Sequence, residues 1–290
     1  MAGIFIPSDL ENFEERFIQI NGIKLHTVIT GKGDPVILLH GFPDFWFGWK
    51  KIMVKLKDEF QLIAPDLKGF NLSDKPTNVK EYGLELLVED VKTLALQLGL
   101  QKFSLAGHDW GGVIAWAFAE KYPTLLDKLI ILNAPHYKIF QKKIQNNKTQ
   151  KRASGYISQL IKPNSDQLLK KNNFQMLQFA VFENARKKDA FSEEDREKYM
   201  EAWSQPGALQ ASVNYYRANR RYDDWSGVID KVPTLVLFGM KDTFIKPTVL
   251  EGLSEYVKDL KIIKDEESSH WVIHDNPDFV STNIRDFLRK

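Results

Sequence analysis

Cysteine is absent from the 290 residues, which excludes disulfides, a thiol nucleophile and cysteine-ligated metals. An excess of one charge is lacking too: 40 Lys and Arg face 38 Asp and Glu, for a formal +2. That field is too weak to indicate nucleic acid or an anionic membrane as partner. No apolar run approaches the roughly 18 residues a bilayer span requires. The amino-terminal stretch, MAGIFIPSDLENFEER, has no basic segment followed by an apolar run, so no signal peptide is read and the cytoplasm is the expected compartment. Paired ligand spacing is missing among His26, His40, His108, His136, His270 and His274, and there is no phosphate loop, so neither metal nor cofactor is implied. Internal repeats and Gly/Ser linkers are likewise missing. The 43% hydrophobic content suffices for one buried core with a smaller element inserted in it. Monomer and homo-oligomer both stay open.

Short β-rich runs alternate with helical patterns in the first half and the last fifth of the chain. ERFIQI and KLHTVIT flank Asn21-Gly22, a hairpin dipeptide, and predict two antiparallel strands. VILLH and QLIAP are continuous apolar runs, as strands buried on both faces require. Leu84, Leu87, Val88, Val91, Leu94, Ala95 and Leu98 keep the helical period up to Gly99. KFSLAG reads as a strand, VIAWAFAEKY as a helix stopped by Pro123, and KLIILNAP as a strand. After Pro135 the alternation stops: residues 137–227 are charged, aromatic and helical in period, with a capping-box pattern at Ser192-Glu193-Glu194-Asp195. PTLVLFG, a helix after Pro247, LKIIKD and a helix from about Pro277 then resume it. The expected class is α/β, with a mostly parallel sheet flanked by helices. Residues 1–136 and 228–290 form its core, and 137–227 a helical cap inserted between two strands.

One short stretch stands out: GHDWGG, Gly107 to Gly112, between a strand pattern and a helix pattern. Gly107-x-Asp109-x-Gly111 is the G-x-S-x-G elbow with aspartate in place of serine, and such a turn displays its central side chain at the carboxyl edge of a sheet. Aspartate is also a good helix N-cap, so the bland alternative is a capping residue. Partners follow in the order nucleophile, acid, histidine: Asp242 after TLVLFG, and His270 in a loop after LKIIKD. Asp265, Glu266 and Glu267 rank below Asp242, and His274 below His270. His40-Gly41-Phe42-Pro43 ends a buried strand and can aim the Phe42 N–H at the same edge, beside that of Trp110, as an oxyanion hole.

HGFPDFWFGW, PDLKGFNLSDKP, GHDWGG, GMKD and SSHW together resemble the α/β-hydrolase fold, and within it the epoxide hydrolase and dehalogenase group with an aspartate nucleophile. The resemblance spans nearly the whole chain. It implies attack by Asp109 on an sp3 carbon, an alkyl-enzyme ester, and hydrolysis of that ester by water activated by His270, which Asp242 orients. The two tyrosines that donate to an epoxide oxygen in epoxide hydrolases map onto Tyr156, in SGYISQLIKP, and Tyr216, in NYYR. Tyr215 is adjacent but points roughly 100° away on a helix. A small apolar epoxide and water are the implied partners.

Haloalkane and haloacetate dehalogenases are the alternatives, since they resemble this chain in the nucleophile. Trp110 is shared with haloalkane dehalogenases, but Phe42 stands where many of them carry a halide-binding asparagine. Fluoroacetate dehalogenases carry an arginine after the nucleophile and an early-cap His-Trp pair, where this chain has Trp110 and Tyr156-Ile157. A non-catalytic small-molecule receptor on the same fold would not require the full catalytic set. Two further features have bland readings. ANRRYDDW, Ala218 to Trp225, is expected to be a solvated face rather than a site for an acidic ligand; Phe42, Phe45, Trp46, Trp110 and Trp271 suit either an apolar pocket or the core.

Overall fold

The computed structural model describes residues 12–290. The stretch read as free of a signal peptide falls largely on residues 1–11, outside the described residues. Eight strands, β1 (Glu14–Ile20), β2 (Ile23–Thr30), β3 (Asp34–Leu39), β4 (Phe60–Pro65), β5 (Phe103–His108), β6 (Leu126–Leu132), β7 (Thr234–Gly239) and β8 (Leu260–Asp265), form one sheet in the order β1-β2-β4-β3-β5-β6-β7-β8. β1 pairs antiparallel with β2 and β2 with β4, and every later pairing is parallel. Asn21 and Gly22 turn the first hairpin with φ of 39° and 83°, the left-handed pair that an Asn-Gly turn favours.

Helices cover both faces of the parallel part. They are α1 (Lys50–Leu56), α2 (Leu84–Gln97) and α3 (Trp110–Lys121) before β6, and α11 (Val272–Asp275) and α12 (Pro277–Leu288) after β8. The periodic positions of α2 are buried, and Leu98 caps it before Gly99 at φ 73°. α3 is buried from Trp110 to Ala119, as a helix covered on all sides must be. It starts at Trp110, earlier than the apolar run suggests, because the elbow feeds straight into it. The helix expected after Pro247 is instead two 3-10 turns, Pro247–Leu250 and Leu253–Glu255. Gly252 separates them at φ 81°, a conformation that ends helical propagation.

Between β6 and β7 lie α4 (Tyr137–Asn146), α5 (Lys148–Ala153), α6 (Ile157–Leu160), α7 (Ser165–Gln178), α8 (Glu193–Ser204), α9 (Ala208–Ser212) and α10 (Asn214–Ala218), with no strand among them. α8 opens on the capping box: Ser192 Oγ accepts from the Asp195 N–H at 3.1 Å and Asp195 Oδ2 from the Ser192 N–H at 2.9 Å. α7 is broken where Asn172, Asn173 and Phe174 take φ of 49°, 54° and 61°. Among the described residues no helix is long and apolar enough to cross a membrane.

Candidate active site

β5 ends at His108, and Asp109 follows at φ 51° and ψ −121°, a strained backbone for a non-glycine residue. Its neighbours make the bend feasible. A Cβ on Gly107 would collide with the Gly111 carbonyl, one on Gly111 with the Leu39 carbonyl, and one on Gly41 with the Asp109 side chain. Glycine is therefore a packing requirement here. Asp109 makes no side-chain cap hydrogen bond to α3, so capping does not account for it. Its Oδ1 instead accepts from the Phe42 N–H at 2.8 Å. That amide is aimed by the turn after β3, where the His40 ring donates from Nδ1 to the Gly41 carbonyl and accepts at Nε2 from the Leu67 N–H, both at 2.9 Å.

His270 Nδ1 donates to Asp242 Oδ2 at 2.8 Å, and its Nε2 lies 3.6 Å from Asp109 Oδ2. Asp242 is held on every side. Oδ1 accepts from the Phe244 and Ile245 N–H groups, and Oδ2 also accepts from Asn133 Nδ2, all at 2.8 Å. His108 Nε2 donates to the His270 carbonyl at 2.9 Å and pins the loop that carries the histidine. Burial lowers the affinity of His270 for its proton, but Asp242 first, then Asp109 and Asp44, outweigh it and hold the pKa above the ordinary histidine value. Burial raises the Asp109 carboxyl, against which His270 and the N–H groups of Phe42 and Trp110 pull.

Asp109 and Trp110 form one wall of a cavity of ≈ 520 Å3, and Tyr156 and Tyr216 line it as well. Tyr216 packs edge-on against Phe42, with ring centroids 5.4 Å apart, and against Trp110, at 5.2 Å. The Tyr156 ring also packs edge-on against Tyr216, with centroids 6.2 Å apart. Burial raises both phenols well above the ordinary tyrosine value, helped by Asp109 at Tyr156 and by Tyr156 and then Asp109 at Tyr216, so both stay protonated at neutral pH. Tyr215 points the other way and donates to the Lys68 carbonyl at 2.8 Å. Of the five aromatics left open between pocket and core, Trp110 lines the cavity, Phe45, Trp46 and Trp271 belong to the buried core, and Phe42 packs against it partly buried. Asp265 binds Ser268 and Asn276, and His274 contacts Tyr199, so neither enters the site.

Two residues of the site were not singled out from sequence. Asn133, at φ 39° directly after β6, ties Asp242 to the Gly239 N–H; a polar residue at the end of an apolar strand run was the available signal. Asp44 is 1% exposed, accepts from the Tyr199 hydroxyl at 2.7 Å and the Phe45 N–H at 2.8 Å, and leaves Oδ2 without a partner. Burial pushes its pKa up to about 7. The folded protein thus binds this proton more tightly than the unfolded chain, so stability falls as pH rises from about 4 to about 7. Asp44→Asn removes the ionisable group and keeps an acceptor for Tyr199. The variant is expected to be more stable than the parent at pH 8, by up to ~4 kcal/mol, and to unfold at a higher temperature, with the difference vanishing toward pH 4. Thermal melts across that range check it; an equal difference at both ends would refute the buried-carboxylate account.

Residues 34–277 match the family model described as alpha/beta hydrolase fold. The chain is 35% identical to the Bacillus subtilis α/β-hydrolase superfamily protein YfhM, over 94% of this chain and 97% of the relative. It is also 35% identical to mouse epoxide hydrolase 4, over 94% of this chain and 78% of that protein. The crystal structure of a Bacillus megaterium epoxide hydrolase bound to an inhibitor superposes with a TM-score of 0.90, at 32% identity over 95% of this chain and 100% of the other. With motif, strand order and relatives in agreement, the chain belongs to the α/β-hydrolase fold family and stands among its epoxide hydrolase-like members.

Proposed function

We propose that the protein is an epoxide hydrolase that opens an apolar epoxide to a vicinal diol through an ester on Asp109, with residues 137–227 acting as a cap on the core formed by 1–136 and 228–290. The observation that carries this reading is the placement of two protonated tyrosines, Tyr156 and Tyr216, in the one cavity that Asp109 lines. An epoxide oxygen leaves as a strongly basic alkoxide and needs a proton, whereas a halide needs only solvation. The relatives named epoxide hydrolases support the same choice.

The geometry supports the following roles. Oδ1 of Asp109 is held by the Phe42 N–H, so Oδ2 is the atom free to attack. As the Oδ2–carbon bond forms, the ring C–O bond breaks and its electron pair takes a proton from a tyrosine hydroxyl. Water then attacks the ester carbonyl carbon and gives a proton to His270 Nε2, while the N–H groups of Phe42 and Trp110 hold the oxyanion at Oδ1. Collapse expels the diol oxygen, which takes the proton left on the new Asp109 carboxyl and so restores the carboxylate, and the tyrosine is reprotonated from the imidazolium through solvent. Epoxide plus water becomes diol, and the enzyme returns unchanged.

One turnover of styrene oxide by excess enzyme in 18O-water tests the whole sequence. The label is expected in Asp109, recovered by peptide mass analysis, and the diol of that first turnover is expected to be unlabelled. Label in the first diol instead would mean direct attack by water, and halide release from haloalkanes with inert epoxides would transfer the reading to a dehalogenase.

A further inference from the structure

The residues that join α7 to α8 meet the core beside both members of the acid–histidine pair. Trp271, next to His270, donates from its indole Nε1 to the Ala180 carbonyl at 2.8 Å, and Thr243, next to Asp242, donates from its hydroxyl to Asn184 Oδ1 at 2.7 Å. The third link is a carboxylate. Asp275, the last residue of α11, is 1% exposed and holds a different segment on each oxygen. Oδ1 accepts from the Arg186 and Lys187 N–H groups at 2.7 and 3.2 Å. Oδ2 accepts from the N–H and the hydroxyl of Ser269 at 2.8 and 2.6 Å, and that hydroxyl accepts from the Trp271 N–H at 3.1 Å. Ser269 and Trp271 flank His270, so the backbone on both sides of the base is tied to this one carboxyl group. All four groups aimed at Asp275 are donors, and only an acceptor-only carboxylate satisfies both sides at once. Burying it costs free energy that an apolar residue at the end of α11 would not incur.

From this geometry, and resting on the epoxide hydrolase reading, we propose that Asp275 is a positioning residue for hydrolysis of the ester, fixing His270 by tying its loop to the cap residues Arg186 and Lys187. His270 is also held at Nδ1 by Asp242 and at its carbonyl by His108. Two fixed points leave a rotation about the line between them. A third, at the residue before the histidine, removes it and sets where Nε2 lies. Formation of the ester makes no use of that precision, because Asp109 attacks without a base. Its hydrolysis does: Nε2 must accept a proton from a water already placed against the ester carbon, and a misplacement of about 1 Å can cost up to ~10²-fold. Loosening Asp275 therefore separates the two halves of the reaction, whereas a general loss of folded protein lowers both together.

Asp275→Asn is the sharp test, because the two sides respond differently. The amide NH2 cannot face the Arg186 and Lys187 N–H groups, which are fixed donors, but it can face Ser269, whose hydroxyl can turn to accept. The amide oxygen then stays with the cap residues, and the Ser269 N–H loses its partner. Single-turnover reactions with styrene oxide, followed by intact-protein mass, read the rates at which the ester on Asp109 forms and decays. In this variant decay is expected to slow by ~10-fold while formation changes by less than about 2-fold, so adduct accumulates at steady state. Ser269→Ala keeps the N–H contact and loses only the hydroxyl; it is expected to shift the ratio of the two rates the same way by ~3-fold, and it decides the matter should the asparagine variant fail to fold. Equal slowing of both steps, or an unchanged ratio in the variants that fold, leaves Asp275 a structural role alone and overturns the proposal while epoxide hydrolysis stands. If the parent forms no ester on Asp109, the reading beneath falls and this proposal with it.

Discussion

His270→Gln is expected to halt the enzyme with substrate esterified to Asp109, seen as a protein mass increased by that of one epoxide. Glutamine keeps a polar side chain near the Asp242 carboxylate but cannot accept a proton at neutral pH. In the proposed mechanism the opening half of the reaction needs no base, because Asp109 attacks as a carboxylate. Hydrolysis of the ester needs one and should slow by ~10²–10⁴-fold. The electrostatics of the pair sharpen the expectation. Free His270 is held above the ordinary histidine pKa partly by the negative charge of Asp109, 3.6 Å away. Esterification removes that charge, so the pKa of His270 falls at the step for which the neutral base is required. The acid limb of ester hydrolysis should therefore lie at lower pH than the titration of His270 in the free enzyme, which NMR of the ring can follow. A variant that turns over normally, or one that accumulates no adduct, would remove His270 from the second step.

Replacing both Tyr156 and Tyr216 by phenylalanine is expected to slow formation of the ester by ~10²-fold or more, since the departing alkoxide then finds no donor. The two phenols line the same cavity with their rings edge-on, 6.2 Å apart, and one can serve when the other is missing. Either single substitution should therefore cost less than the square root of the double effect suggests, and the free energies should not add. Single-turnover rates of adduct formation distinguish this from loss of folding. Tyr215→Phe is the control: it removes the hydroxyl bonded to the Lys68 carbonyl and should cost ~1 kcal/mol of stability without a comparable loss in rate. If the double variant opens epoxides at the parent rate, the proton comes from elsewhere and the case against a halide leaving group is lost.

Much of this site could be read from the chain because its parts are short-range devices. The elbow needs glycine two residues either side of Asp109, and those contacts are local or involve the adjoining strand end. The hairpin at Asn21-Gly22, the period of α2 and the capping box of α8 are likewise carried within a few residues. The helix expected after Pro247 shows the limit, since proline can start a helical turn but a left-handed Gly252 five residues later stops it.

By itself the sequence determined the alternation of strand and helix, the elbow and the placing of Asp109, Asp242 and His270 after strand runs, because local steric rules and side-chain periodicity act along the chain. Only the tertiary structure decided that the Phe42 amide lands on Asp109, that Asn133 and two backbone amides clamp Asp242, and that Asp44 is buried without a partner for one oxygen. The contacts of Phe42 with Asp109 and of Asn133 with Asp242 join segments far apart in the chain, and the packing of strand ends and helices brings them within hydrogen-bond reach. No pattern of neighbouring residues encodes such a distance.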